Sequence, residues 1–154
     1  MLWIALLIFH GLVAFLLLGA VTHQAVSLAW PGQAKQNFVG RFASVRGGAY
    51  VNAVIALFAA TFSLGAVIYA DYRVGARISM EQMRMLAPIG MFELKEHILG
   101  LSLGLLPTYW FLWKKAPLAD QRGARLGVTL LLAVACWWAF LVGHILNNIR
   151  GIGP

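Results

Sequence analysis

Three of the four histidines, His10, His97 and His144, fall inside apolar runs long enough to span a bilayer. An imidazole at membrane depth is costly unless it pairs, lines a wet cavity or binds something, so such a residue is a hypothesis about function. Neutral imidazole is a ligand for haem iron and for most transition metals. The first chemistry to expect is therefore axial ligation of a b-type haem, with His10 and His97 as the pair and His144 competing for either place. A second is a non-haem metal site built from His10, His97, His144 and Glu93, ligand types that suit zinc, iron or copper. The run from Glu93 to His97 lacks the Glu-x-x-His spacing of di-iron carboxylate sites.

The surroundings of His97 extend the haem expectation. Gly90, Glu93, His97, Gly100 and Gly104 follow the three-and-four spacing of one helical face, so this stripe is expected to face protein. Gly100 beside a ligand imidazole leaves room for a large flat group such as a porphyrin, and Gly11 and Gly143 repeat the pairing of glycine with histidine. Small residues also let membrane helices approach closely, which is the purely structural reading of the same pattern. Propionates need cations near a membrane face; Arg84 and Arg150 are the expected partners, with Arg73 and Arg77 on the same side. Glu93, one turn before His97, is placed to orient the imidazole or a proton relay.

Other candidates carry less. His23 is thirteen positions from His10, which rotates it roughly 140° away at about 100° per residue, so a second haem on that face is disfavoured. Met80, Met83, Met85 and Met91 are soft ligands for copper(I) but lack a one-face series or a nearby cysteine. The single Cys136 permits no intrachain disulfide and reads as a small buried hydrophobe. No Ser or Cys sits beside a base and no phosphate-binding loop follows a strand, so a non-catalytic role is expected.

The elements that must position these residues follow from composition. With 61% hydrophobic and 11% charged residues in 154 positions, the chain has too little polar surface to cover a soluble globule. The formal charge of +7 is confined to short loops, where it sets topology, and nucleic-acid binding is not expected. No Lys or Arg precedes the first apolar run, so that run is read as a retained span and not a cleaved signal. A bilayer core about 30 Å thick needs about 20 helical residues. Four stretches qualify, at about 2–30, 50–69, 88–113 and 126–149, giving an all-α integral membrane protein with a single four-helix transmembrane domain over 1–154.

Basic loops fix the expected orientation. Lys35, Arg41 and Arg46 lie in one loop, and Lys114, Lys115, Arg122 and Arg125 in another, so both should be cytoplasmic. The balanced connection from Asp71 to Glu96 then lies outside with both termini, and a short interfacial helix is expected around Glu81–Leu86, ahead of Pro88 in the first turn of the third span. Trp3, Trp30, Tyr69, Tyr72, Tyr109 and Trp113 fall near span ends, as interfacial aromatics do. His10, His97 and His144 then share a band of depth near the outer face.

This layout is similar to that of the small four-helix anchors and haem subunits of respiratory enzymes, a likeness of arrangement only. It implies an electron-transfer or accessory subunit of a respiratory complex in a bacterial inner membrane. Such a subunit binds haem b near its outer face, with quinone nearby, among other membrane subunits. The competing expectations are a cofactor-free scaffold subunit and a non-haem metal protein.

Overall fold

Why the described residues are almost all helical is a matter of solvent: in hydrocarbon each backbone N–H and C=O must be satisfied within its own segment, and only a helix does this locally. The computed structural model describes residues 2–29, 38–43 and 46–150, except the side chains of 39, 42, 43, 118, 149 and 150. Trp30, Lys35 and the Arg150 side chain therefore lie outside the described residues. Within them there is no strand. The helices are α1 (Leu2–Ala29), α2 (Phe38–Ala43), α3 (Val51–Val74), α4 (Ala76–Gln82), α5 (Leu86–Lys114) and α6 (Leu118–Arg150), with a 3-10 turn at Gly47–Tyr50 before α3.

Segments Leu2–Ala29, Gly47–Val74 and Ala119–Asn148 are long and apolar enough to cross a membrane, consistent with an all-α integral membrane protein. Helix α5 matches them in length at 29 residues but carries Glu93, Lys95 and Glu96 in its first half. The four long helices alternate in direction. α1 packs on α3 and on α6, and α6 packs on α5, while the closing contact of α5 with α3 is sparser. Helix α1 is apolar on all sides. It turns Leu17, Leu18 and Val21 inward and leaves Leu2, Ile8, Leu12, Phe15 and Leu16 exposed, as a lipid-facing helix does.

Local sequence accounts for the ends. Gly75 stops α3, donating its N–H to Asp71 O at 3.0 Å. This carries α3 five residues beyond Tyr69 and starts the short helix at Ala76, upstream of the expected Glu81–Leu86. Arg84, with φ 55°, turns the chain after α4. Pro88 is the third residue of α5, where its missing N–H costs nothing. Pro107 lies within α5 without ending it.

The two ends of this bundle are built differently. At the end where α1 finishes and α5 meets α6, Gln24, Tyr109 and Thr129 are completely buried. The Tyr109 hydroxyl donates to Gln24 Oε1, and Gln24 Nε2 donates to Gly47 O at 2.8 Å. Trp113 Nε1 donates to Thr129 Oγ1 at 3.1 Å, and that hydroxyl donates to Arg125 O at 2.7 Å. Arg122 reaches Leu28 O at 3.1 Å and Arg125 reaches Ala116 O at 2.9 Å, so the basic residues tie this end together. Around this network Leu17, Val21, Val54, Phe58, Leu106 and Leu132 form the main core.

Gly47 shows how close the packing is. A Cβ added there would stand 2.7 Å from Ser27 Oγ and 2.9 Å from Trp113 Cη2. His23, also at this end, is buried and lies against Tyr50 with ring centroids 4.8 Å apart.

Candidate functional site

At the opposite end, where α1 begins and α6 finishes, the four long helices enclose a cavity of about 870 Å³. That volume is within the range of sites that take up a drug-sized or cofactor-sized molecule. α4 lies over it, contributing Ala76, Ser79 and Met80. Below α4 a small second core of Tyr72, Met80 and Ile89 joins α3, α4 and α5. Tyr72 stacks on Phe92 at 4.0 Å between centroids, and Tyr69 stacks on Phe92 at 5.9 Å. The cover is fastened by charge: Arg77 pairs with Glu81 Oε1 at 2.8 Å and with Glu93 Oε1 at 3.1 Å. The hydrogen bond that Arg77 donates to Glu81 holds its guanidinium above its ordinary pKa.

Two of the expected histidines line this cavity. His10 comes from α1 and His144 from α6, helices that pack against each other. His10 also lies over α3, where a Cβ on Gly65 would sit 3.4 Å from its Cε1. His10 Nδ1 is buried and makes no hydrogen bond among the described residues. Gly11, Gly65 and Gly143 line the same space, one from each of three helices. At Gly11 and Gly143 an added Cβ would meet nothing within 4 Å.

His97 is placed elsewhere. It is exposed on α5 and its Nδ1 lies 2.7 Å from Glu93 O, one turn back along its own helix. The whole stripe expected to face protein is turned outward: Gly90, Gly100 and Gly104 are exposed, and Glu93 is drawn to Arg77. The reason is rotational. The face of α5 that meets the cavity is Phe92, Lys95, Glu96 and Leu99, at the same three-and-four spacing but roughly 100° or more around the axis from His97. His97 thus does not share a site with His10, whereas His10 and the exposed His144 both line the cavity. Arg84 is exposed and stands off the cavity wall. Among the described residues no three of His, Cys, Asp or Glu converge as a metal site would require, so His10, His97, His144 and Glu93 do not form one cluster.

Lys95, Glu96 and Tyr72 are the cavity residues that sequence reasoning passed over as site candidates. Lys95 and Glu96 counted only as balancing charges of a connecting segment. Their spacing with Phe92 and Leu99 was the available signal, since these four positions form a single helical face. Compared with known protein families, characterised proteins and solved structures, the chain matches none.

Proposed function

We propose that this chain is a membrane subunit of a respiratory or other redox complex that passes electrons through a b-type haem held in the α4-end cavity, with a quinone as electron partner. The observation that carries the reading is that His10 and His144, from two packed helices, line one cavity of about 870 Å³. The clearance at Gly11 and Gly143 fits a large flat ligand between these helices. His10 and His144 would hold the iron, and the glycines would leave the ring plane free. The bound haem would supply one-electron chemistry, its potential set by axial ligands and by the low polarity of the walls.

The same proposal takes α5 as a fourth span and places both termini and α4 on the extracytoplasmic side of a bacterial inner membrane. Arg41, Arg46, Lys114, Lys115, Arg122 and Arg125 all belong to the opposite end, which supports that orientation. The outward stripe of His97, Gly100 and Gly104 supports membership of a larger assembly. A polar residue exposed at span depth with small residues below it suits another membrane helix better than lipid.

A dithionite-reduced minus oxidised spectrum of the gently solubilised chain, with a pyridine haemochrome assay, tests the reading. About one b-type haem per chain is expected, lost or converted to high spin in His10→Ala and His144→Ala and retained in His97→Ala. A folded, assembled sample without haem overturns it in favour of the scaffold role.

A further inference from the structure

The cavity has a wall that axial ligation leaves unused. Helix α5 presents Phe92, Lys95, Glu96 and Leu99 there, and Lys95 is the one Lys or Arg among the described residues that lines the space. Its side chain is 12% exposed, against 33% for Glu96, and Nζ lies 2.8 Å from Glu96 Oε1. Nζ also stands 3.9 Å from the centre of the Phe92 ring. An ammonium has three donors. Glu96 takes one and the ring face satisfies a second direction, which leaves capacity for an acceptor in the cavity.

The other basic side chains described at this end are committed or turned away. Arg73 donates to the Tyr69 hydroxyl at 3.2 Å, and Arg77 is divided between Glu81 and Glu93. Arg84 is exposed and off the wall. A second donor stands on the cavity wall in Tyr72, which is 8% exposed and whose buried hydroxyl has no hydrogen-bond partner among the described residues. Most of the remaining surface is apolar, including Leu7, Phe15, Phe62 and Ile68. The wall is therefore made for a large apolar body that carries an anionic group.

We propose that Lys95 binds a carboxylate of the molecule that fills this cavity. The inference deepens the haem reading, on which it rests for the identity of the occupant and not for the chemistry of the contact. A haem propionate supplies such a carboxylate, and a long-chain fatty acid supplies the same group. In a low-dielectric wall a charge-assisted hydrogen bond of this kind is strong and selective.

The test uses the full chain in nanodiscs, titrated with two pairs of probes: haem against haem dimethyl ester by Soret absorbance, and cis-parinaric acid against its methyl ester by fluorescence. The expected result is that the acid binds at least about tenfold more tightly than its ester, the scale of a hydrogen bond to a charged group. Lys95→Gln should erase that ratio while leaving ester affinity unchanged, which also shows that the variant is folded, and Lys95→Arg should keep it. A ratio in the haem pair supports both readings. A Lys95-dependent ratio in the fatty-acid pair, with no Soret change on adding haem or its ester, supports the carboxylate contact and sinks haem. An acid-to-ester ratio near one in the unmodified chain, or one that Lys95→Gln does not change, overturns the proposal without bearing on whether haem binds.

Discussion

The end of the bundle organised by Gln24 and the end covered by α4 share the same four helices, yet one is filled and the other is hollow. At the Gln24 end the polar side chains answer one another: Tyr109, Gln24 and Gly47 in one chain of hydrogen bonds, Trp113, Thr129 and Arg125 in a second. At the α4 end buried polar atoms stand without such answers, at His10 Nδ1 and the Tyr72 hydroxyl. Buried polar groups are nearly always hydrogen-bonded; the filled end keeps one such exception at Arg125 Nε, whereas the two at the α4 end belong to residues that line one cavity, where a bound ligand would answer them. Packing and hydrogen bonds are concentrated in the filled end, and open space in the hollow one.

That contrast can be broken most severely at Gln24. Gln24→Leu leaves the Tyr109 hydroxyl and Gly47 O buried without partners, and a loss of about 2–4 kcal/mol is expected. Unfolding in mixed micelles would measure it, and a loss under about 0.5 kcal/mol would show that the two ends do not differ as described. Next in size is Gly47→Ala, whose Cβ would stand 2.7 Å from Ser27 Oγ; overpacking of this kind costs about 1–3 kcal/mol. The smallest effect is expected at the hollow end. Gly143→Ala adds a methyl group to open space and should change the stability of the ligand-free chain by no more than about 0.5 kcal/mol in the same assay.

Much of the architecture was legible because it depends on runs of apolar residues. The stretches at about 2–30, 50–69, 88–113 and 126–149 correspond to the helices α1, α3, α5 and α6, and the first, second and fourth of them to segments long and apolar enough to cross a membrane. His10 and His144 do occur at one end of the bundle, as their distances from the span ends implied. The rotation of α5 was not legible. Glu93–His97–Gly100 and Phe92–Lys95–Glu96–Leu99 are equally regular helical faces, and periodicity alone cannot say which one turns inward. The choice is made by packing on α6 and by Arg77, whose second ion pair draws Glu93 away from the cavity. Nor did the sequence disclose that Gln24, a lone amide in an apolar run, would be the hub of the filled end. Its partners are supplied by the 3-10 turn and by α5.

Those partners are far apart along the chain. Gln24 Nε2 meets the carbonyl of a residue 23 positions later, whereas Gln24 Oε1 waits for a hydroxyl 85 positions later. As the polypeptide emerges during synthesis, α1 and the turn before α3 can satisfy half of this amide well before α5 exists. The unfinished half remains an acceptor inside an apolar hairpin, and its cost is relieved only when Tyr109 arrives. The order of translation thus gives the bundle a built-in sequence of assembly, in which one side chain holds the first hairpin open to the helix that completes it.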